Sequence, residues 1–403
     1  MKIKNLIMVF MALGMILSPV SAADWTVFHG NLQHTGFAEE PSDFSASTWY
    51  LQIGGVKSSP AIFNKVAYIG SIDGKLYAIN LETGSVIWSY KTSGAIISSP
   101  AVLNGTVFVG SMDGYLYAIE TDTGDLKWKF KTGNSIESSP AVTNDTVYVG
   151  SDDCRLYAVD IDNGSKEWEF YTGDAVKSSP APVNGTVYVA SSNGKIYAIN
   201  ENGEELWSYT TGDAVQSSPA FWNDTVYVGS DDGTLYALSA GDGSIVWRQS
   251  LGNRIRSSPA VDDEENSVFI GSDDGNITSL DTRTGKLKWS IRTGAAVRST
   301  PAIFDSKIAV GSDDGTLYIL NKYSGKEEWA YSPGYYLFNS PVSSSPVVYG
   351  KTVYFATENG YIYSLNSEKE EGPASVFGYY LAAIIIAVAG VILVVWKVIS
   401  RRR

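Results

Sequence analysis

Charged and amide side chains recur at one position of a repeated motif, immediately before Ser-Ser-Pro or a close variant of it. With the nearby Arg254, the candidate binding residues are Lys57, Glu137, Lys177, Gln216, Arg254, Arg256 and Arg298. Acidic residues, among them Asp231, Asp273 and Asp313, occur in turns that we expect at the same end of the repeat. A partly basic mouth inside an acidic rim is able to bind a small anion or an acidic sugar. The alternative is that these side chains are solvated loop charges.

Two other groups of residues have a composition suited to binding. The only histidines, His29 and His34, lie five residues apart in an N-terminal segment. Such a pair is weak evidence for a metal site, and we predict neither a metal ligand nor a catalytic residue. A longer connection at 332–342 carries Tyr335, Tyr336 and Phe338. We predict that it is a contact loop, with packing over the neighbouring repeats as the alternative.

The motif returns about every 40 residues, which is the spacing of a four-stranded propeller blade. Its prolines are Pro60, Pro100, Pro140, Pro180, Pro219, Pro259, Pro301 and Pro346. Tryptophans alternate with them, at Trp49, Trp88, Trp128, Trp168, Trp207, Trp247, Trp289 and Trp329. One large aromatic residue per repeat at a fixed offset predicts a structural docking role between neighbouring blades, because each such ring buries a large apolar area.

The repeat at 136–173 shows the expected strands most clearly. Alternating apolar residues predict strand A at 138–142, strand B at 146–150, strand C at 155–159 and a strand D that carries Trp168. Asn-Gly, Asn-Asp and Asp-Gly turns between the strands favour the positive φ of type I′ hairpins.

The two ends of the repeat array are incomplete in complementary ways. The strand at 47–53 carries Trp49 but has no A, B or C strand before it, whereas the last repeat, 343–366, reaches no tryptophan. The sequence therefore predicts an all-β, eight-bladed β-propeller over residues 44–366, in which the N-terminal strand completes the last blade and leaves no free sheet edge.

The segments outside the propeller predict export and membrane anchoring. Residues 1–23 have the charged start, apolar run and small-residue end of a signal peptide. A lead segment at 24–43 precedes the propeller, and a linker at 367–375 follows it. Residues 376–396 are apolar enough for a transmembrane helix, and 397–403 form a basic tail. The positive-inside rule then predicts a single-pass cell-membrane protein with an extracellular propeller and a cytoplasmic C-terminus.

Charge and modification sites further limit the partners. The formal net charge is −13, and several basic residues lie in the two end segments, so the propeller itself is acidic and nucleic acid is an unfavourable partner. The only cysteine, Cys154, has no partner for an intramolecular disulfide. Six sequons for glycosylation occur, at Asn104, Asn144, Asn163, Asn184, Asn223 and Asn276. The alternative explanation for these sequons is turn chemistry followed by a β-branched strand residue.

The repeat core resembles the PQQ-like (pyrroloquinoline-quinone enzyme) repeat family. The resemblance rests on segments such as GSDDGTLYALSAGDGSIVW at 229–247 and VGSMDGYLYAIETDTGDLKW at 109–128, and it extends over about 44–366. It implies an eight-bladed propeller of one of two kinds. Quinoprotein dehydrogenases of the family bind PQQ and calcium and carry an adjacent cysteine pair and long loops. Other members are non-catalytic docking scaffolds.

The single cysteine and short loops favour the second kind. We therefore predict a membrane-anchored, cell-surface propeller that acts, as a monomer and without a cofactor, as a binding or scaffold module for a protein or glycan partner. The alternative is a PQQ-dependent dehydrogenase that uses PQQ and calcium. A purely structural component of the cell envelope is a third possibility.

Overall fold

The computed structural model describes Thr26, Asn31 and residues 37–38, 47–333 and 339–366. The predicted signal peptide, linker, transmembrane helix and basic tail lie outside these residues, as do Tyr335, Tyr336, Phe338 and both histidines. Within the described ranges the regular structure consists of β-strands alone. No helix there is long and apolar enough to cross a membrane.

The strands form eight four-stranded sheets, here called blades 1 to 8, with one additional short strand. The N-terminal strands are β1 (Phe37–Ala38) and β2 (Ser47–Gln52). Blades 1 and 2 contain β3 (Ala61–Phe63), β4 (Val66–Gly70), β5 (Lys75–Asn80), β6 (Val86–Lys91), β7 (Ala101–Leu103), β8 (Thr106–Gly110), β9 (Tyr115–Glu120) and β10 (Leu126–Lys131). Blades 3 and 4 contain β11 (Ala141–Val142), β12 (Thr146–Ser151), β13 (Arg155–Asp160), β14 (Lys166–Tyr171), β15 (Ala181–Val183), β16 (Thr186–Ala190), β17 (Lys195–Asn200) and β18 (Glu205–Thr210).

The remaining blades follow the same order. Blades 5 and 6 contain β19 (Ala220–Trp222), β20 (Thr225–Gly229), β21 (Thr234–Ser239), β22 (Ile245–Ser250), β23 (Ala260–Asp262), β24 (Ser267–Gly271), β25 (Asn276–Asp281) and β26 (Leu287–Arg292). Blade 7 contains β27 (Ala302–Phe304), β28 (Lys307–Gly311), β29 (Leu317–Asn321) and β30 (Glu327–Tyr331). Blade 8 contains β31 (Val347–Tyr349), β32 (Thr352–Ala356), β33 (Tyr361–Asn366) and the N-terminal β2.

The core lies between the blades. Strands B and C are buried on both faces, as in β8 and β9, whereas the outermost strand D alternates between exposed and half-buried residues. One apolar cluster, for example, joins Leu76 and Ala78 of blade 1 to Val107 and Val109 of blade 2. Each blade is therefore stabilised mainly by its neighbours, as the predicted architecture requires.

Strand A is shorter than predicted. In blade 3 it begins at Ala141 rather than at Ser138. Pro140 has no N–H to donate to a sheet, and the N–H of Ser139 donates instead to the Ser179 hydroxyl of the next blade at 3.2 Å. The Ser-Ser-Pro motif is thus a connection between blades and not the start of a strand.

The predicted turn chemistry is confirmed at most of the A-to-B turns. Asn104, Asn184 and Asn223 have φ of 49°, 50° and 45°, in the left-handed region that type I′ turns require. Asn144 is not among the residues with positive φ, although its Asn-Asp sequence is the same as that of the turn at Asn223.

The ring closes between blade 8 and blade 1. Strand β2 pairs with β33 in antiparallel register, with Tyr50 opposite Tyr363. The Trp49 indole N–H donates to the Leu81 carbonyl of blade 1 at 2.8 Å. The N-terminal strand therefore completes the last blade, and the prediction of eight blades is confirmed.

Seven of the tryptophans dock on the following blade in the same way. Each indole N–H donates to a carbonyl of that blade at 2.7–2.9 Å, from Trp49, Trp88, Trp128, Trp168, Trp207, Trp247 and Trp289. The ring also lies against a turn glycine, since a Cβ at Gly84 would be 2.7 Å from the Trp49 ring. Trp329 stacks on Tyr331, with ring centroids 5.6 Å apart.

The lead segment makes contacts that the sequence did not predict. Strand β1 pairs in parallel with β27, the innermost strand of blade 7. The Thr26 carbonyl accepts a 2.6 Å hydrogen bond from the N–H of Val102, on the innermost strand of blade 2. Two points of the lead therefore lie on the channel side of two different blades.

Candidate binding site at the channel mouth

The residues that precede each Ser-Ser-Pro converge on one cavity of about 170 Å³ at the mouth of the central channel. They are Lys57, Ile97, Glu137, Lys177, Gln216, Arg256, Arg298 and Ser343. They meet there because the eight D-to-A connections all reach the channel at the same level. Arg254, which we expected beside them, is exposed on its loop and does not line the cavity.

A belt of hydroxyl groups forms the floor of this mouth. The second Ser or Thr of each motif lines the cavity. Its hydroxyl accepts a hydrogen bond from the backbone N–H of the same motif position in the preceding blade. The N–H of Ser59 donates to the Ser99 hydroxyl at 2.9 Å, and the N–H of Ser99 donates to the Ser139 hydroxyl at 2.9 Å. The same bond links further neighbours around the ring. The belt explains why the Ser-Ser-Pro sequence is nearly the same in every repeat, since each hydroxyl satisfies a buried N–H of the preceding blade.

A chain of ion pairs crosses the mouth on the side of blades 5 to 7. The Arg256 guanidinium lies 3.2 Å from the Asp231 carboxylate and 3.9 Å from Asp273. Asp273 also lies 2.9 Å from Arg298, which contacts Asp313 at 2.7 Å. The two arginines thus alternate with three carboxylates in one continuous network.

The other polar mouth residues are paired as well. Lys177 contacts Glu137 at 3.1 Å, and Lys57 lies 3.7 Å from Glu358. Gln216 donates to Asp231 at 3.4 Å, and the Ser343 hydroxyl donates to Glu358 at 2.9 Å. The four cations expected at the mouth therefore line the cavity, and each lies within 4 Å of a carboxylate.

Burial adjusts the ionisation of two carboxyl groups near the mouth. It raises the pKa of Asp313 against the opposing charge of Arg298. Burial and the nearby charge of Glu137 raise the pKa of Asp152, whose Oδ1 has no hydrogen-bond partner. The hydrogen bond to Asp273 raises the pKa of the Arg298 guanidinium, which stays charged. Acidification would therefore neutralise these two carboxyl groups at a higher pH than ordinary aspartates, whereas the cations would keep their charge.

The acidic B-to-C turns contain two positions with different roles, a distinction that we did not draw from the sequence. The first acidic residue, such as Asp231, faces the mouth. The second, such as Asp232, accepts a hydrogen bond from a tyrosine four residues later, here Tyr236 at 2.6 Å. The spacing Asp-x-x-x-Tyr is the signal that could have separated the structural carboxylates from the mouth carboxylates.

The mouth face also has an apolar sector. In blades 1 and 2 the first B-to-C turn residue is Ile72 or Met112, and these side chains are 48% and 41% exposed. Ile97 lines the cavity, whereas Ile72 and Met112 do not. The face is therefore divided into an apolar side and an ion-paired side.

Cys154 does not line the mouth cavity. Cys154 occupies a B-to-C turn with a φ of 71°, and burial raises the pKa of its thiol, so it is protonated at neutral pH. Over the described part of the chain, no group of three or more His, Cys, Asp or Glu side chains is arranged to hold a metal ion.

The sequons fall mainly on the opposite face from the mouth. Five of their asparagines are exposed on A-to-B or C-to-D turns, namely Asn104, Asn144, Asn163, Asn184 and Asn223. Asn276 is half-buried on the mouth side, and its amide donates to Asp274 at 2.8 Å.

Comparison with known proteins supports the fold and the family. A family model described as outer membrane protein assembly factor BamB matches residues 25–169, 91–218, 192–300 and 232–370. No curated protein sequence gives a significant match. Among solved structures, BamB from Moraxella catarrhalis is 18% identical with a TM-score of 0.68, covering 80% of this chain and 99% of that chain.

Two dehydrogenase structures are also similar in fold. Quinohemoprotein alcohol dehydrogenase from Comamonas testosteroni is 14% identical with a TM-score of 0.75, covering 88% of this chain and 82% of that chain. A europium-containing methanol dehydrogenase is 15% identical with a TM-score of 0.75, covering 85% and 98%. These likenesses show the propeller fold alone, whereas the family model spans nearly the whole repeat array. The chain therefore belongs to the PQQ-like repeat family of outer membrane protein assembly factor BamB.

Proposed function

We propose that this protein is a non-catalytic binding module that docks a protein partner on the mouth face of its propeller. The observation that carries the proposal is the position of two exposed aliphatic side chains, Ile72 and Met112, beside the ion-paired mouth. An apolar patch next to a polar, charged rim is the usual anatomy of a protein–protein interface.

A protein fits this face better than an acidic sugar or a small anion does. The mouth cations are paired with carboxylates at 2.7–3.9 Å, so an incoming anion would have to displace existing partners. Exposed aliphatic side chains form no hydrogen bonds with a hydrophilic sugar. Their burial against the apolar surface of a protein is favourable, because it removes them from water. The family relation supports the same choice, since the described member, BamB, is an assembly factor for outer membrane proteins.

The proposal includes a location outside the cell. The predicted signal peptide and C-terminal transmembrane helix would hold a monomeric propeller at the membrane surface. The exposed sequon asparagines support an exterior location, because most of them lie on the face that the partner does not need.

A PQQ-dependent dehydrogenase, the alternative, fits the described residues poorly. Calcium takes six to eight oxygen ligands, and these ranges contain no cluster of three or more acidic, histidine or cysteine side chains suited to a metal. The mouth cavity of about 170 Å³ is smaller than the ~300–1,000 Å³ typical of ligand pockets. The cations that could meet the carboxylates of the quinone are already paired.

The experiment compares the full-length protein with two variants in which exposed apolar residues are replaced by lysine. Ile72→Lys combined with Met112→Lys changes the apolar sector, and Leu206→Lys changes an exposed residue on the outer strand of blade 4. In-cell cross-linking of the wild type should capture one discrete partner, which the Leu206 variant retains and the double variant loses at least tenfold. Equal capture by the double variant would contradict the proposal. Retention of PQQ with calcium by the purified wild type would favour the dehydrogenase.

A further inference from the structure

A hydrogen bond between a strand C tyrosine and the preceding turn recurs in most blades. The hydroxyl donates to a carboxylate four residues earlier in five of them, in the pairs Tyr77–Asp73, Tyr117–Asp113, Tyr157–Asp153, Tyr236–Asp232 and Tyr318–Asp314, at 2.6–2.8 Å. In blade 4 the partner is an amide, since Asn193 contacts the Tyr197 hydroxyl at 2.8 Å. Each of these hydroxyls therefore has a partner in the turn of its own blade, and that of Tyr197 also donates to the Thr172 carbonyl of blade 3 at 2.8 Å.

Blade 8 keeps the tyrosine but loses the bond. The residue four positions before Tyr363 is Asn359, and its Oδ1 accepts from the Thr357 hydroxyl at 2.6 Å instead. Among the described residues, Tyr363 therefore lacks the hydrogen bond to the turn that the other strand C tyrosines make, and it is 8% exposed.

Three tyrosines lie together on this side of blade 8. The ring centroid of Tyr50 lies 6.1 Å from that of Tyr361 and 6.4 Å from that of Tyr363, and the last two are 6.1 Å apart. Tyr331 of blade 7 faces them, with its ring centroid 5.8 Å from Tyr363. Tyr50 is 68% exposed although it is large and aromatic.

These rings line a cleft between blades 7 and 8, here called the tyrosine cleft. Its volume is about 330 Å³, and its other lining residues are Pro333, Ser340, Thr357 and Asn359. The volume falls within the ~300–1,000 Å³ range of small-ligand pockets. No lining residue is charged, in contrast to the mouth.

We propose that the tyrosine cleft binds a neutral saccharide. Aromatic rings present flat apolar faces for the C–H face of a sugar ring, and their hydroxyls supply polar groups at the edge. The Asn359 amide and the Ser340 and Thr357 hydroxyls add short polar groups that match sugar hydroxyls in both donor and acceptor character. Because the lining is uncharged, an acidic or cationic ligand would lose its hydration there without gaining an ionic partner.

The ionisation state of the phenols agrees with this use. Burial raises the pKa of Tyr363 to about 12 and also raises that of Tyr331. Both hydroxyls are therefore protonated at neutral pH and can donate as well as accept. The site is separate from the mouth, since Tyr50 lies on the outermost strand of its blade, so it can be tested independently of the proposed protein partner.

Two variants test the proposal without removing a buried residue. Tyr50→Ala removes the exposed ring of the cleft, and its matched control is Tyr171→Ala, a tyrosine that is 63% exposed on the outer strand of blade 3. Asn359→Asp places in blade 8 the carboxylate that five other blades have at this position. It would engage the Tyr363 hydroxyl within the blade and put a negative charge in the cleft. The Asn359→Asp variant should fold normally, because five other blades contain the same tyrosine–aspartate hydrogen bond.

The measurement is calorimetric titration of the full-length protein, in a detergent without a sugar headgroup, with neutral tetrasaccharides of glucose, mannose, galactose or N-acetylglucosamine. At least one should bind the wild type and the Tyr171→Ala variant equally, and both Tyr50→Ala and Asn359→Asp should weaken it at least tenfold with little change in melting temperature. The proposal is overturned if no neutral tetrasaccharide binds at millimolar concentration, if only uronate oligosaccharides or peptides bind, or if Tyr50→Ala binds as the wild type does.

Discussion

The backbone N–H of Ser345, in the last blade, donates a 2.8 Å hydrogen bond to the hydroxyl of Ser59, in the first. The two residues are separated by almost the whole propeller sequence, yet their bond is the same as the one that joins Ser59 to Ser99. The belt around the mouth therefore has no seam at the chain ends. A continuous belt fixes the relative positions of all the mouth residues, including those of blades 8 and 1.

Closure predicts that Trp49 is as important as a tryptophan inside the array. Trp49→Ala should lower the free energy of unfolding by about 3–5 kcal/mol, because it removes a large docked ring and its hydrogen bond. Trp168→Ala, which removes the equivalent contact between blades 3 and 4, is the matched variant. Denaturant unfolding of both should give similar losses. A loss below about 1 kcal/mol for Trp49→Ala alone would mean that blade 8 is not closed by β2.

A buried ion pair between blades 6 and 7 gives a second prediction. Lys322 and Asp262 are both buried, with Nζ and Oδ2 2.9 Å apart. Asp262→Ala should destabilise the protein by about 3–5 kcal/mol, because it leaves the ammonium without its buried partner. The double variant Asp262→Leu, Lys322→Met should recover most of the loss. Equal losses in the single and double variants, measured by denaturant unfolding, would contradict this account.

The Lys322–Asp262 ion pair should make the stability of the protein depend on pH in one direction. Burial lowers the pKa of Lys322, but the hydrogen bond and charge of Asp262 outweigh burial, so the pKa lies above its usual value of 10.5. The stabilising contribution is then complete below pH ~10 and is lost as the pH rises through the folded-state pKa. Thermal unfolding between pH 8 and 11 should show a steeper loss for the wild type than for the double variant.

Two carboxyl groups at the turns should respond to amide substitution in opposite ways. Burial opposes ionisation of Asp73, but hydrogen bonds from Tyr77 and the Lys75 N–H lower its pKa overall. Its stabilising effect exists above pH ~4 and is lost as the pH falls through the lowered pKa, so Asp73→Asn should lower the melting temperature at pH 7.

Asp313 is the contrasting case. Its raised pKa means that ionisation costs stability above the folded-state pKa, and that this cost disappears as the pH falls toward 3.8. Asp313→Asn should therefore leave the melting temperature at pH 7 unchanged or higher. Melting curves from pH 3 to 8 would contradict the account if both variants lost stability equally at pH 7.

The exposed sequons predict a pattern of glycan occupancy in a host that glycosylates exported proteins. Glycans should attach at exposed turn asparagines such as Asn104 and Asn184, and should be absent from Asn276, whose amide is half-buried and bonded to Asp274. Mass spectrometry of glycopeptides measures this directly. Full occupancy of Asn276 would place a glycan on the mouth face and would conflict with docking there.

Most of the fold could be predicted because the repeat is periodic and its period is long. The number of blades, the B, C and D strands and the closing strand all follow from residue types such as Trp49 and from alternating hydrophobicity. The contacts of Thr26 and β1 with the inner strands could not be predicted, because a single short lead has no repeat to compare with.

The site was predicted less completely than the fold. The sequence placed Lys57, Lys177, Arg256 and Arg298 at one mouth, since position in the repeat determines position in the ring. Their pairing with carboxylates depends on rotamers and on distances between blades, which no periodicity specifies. The tyrosine cleft could not be predicted for a related reason: it lies where blade 8 lacks the tyrosine–turn hydrogen bond of most other blades, because Asn359 bonds Thr357 instead.

The docking claim is tested most directly by a photo-cross-linking amino acid placed, one position at a time, around both faces of the full-length protein in cells. Positions 72, 112 and 97 on the mouth face should give the same discrete adduct, and the exposed turn positions 104, 184 and 223 on the opposite face should give none. Adducts confined to the opposite face, or absent from the mouth face, would contradict the account.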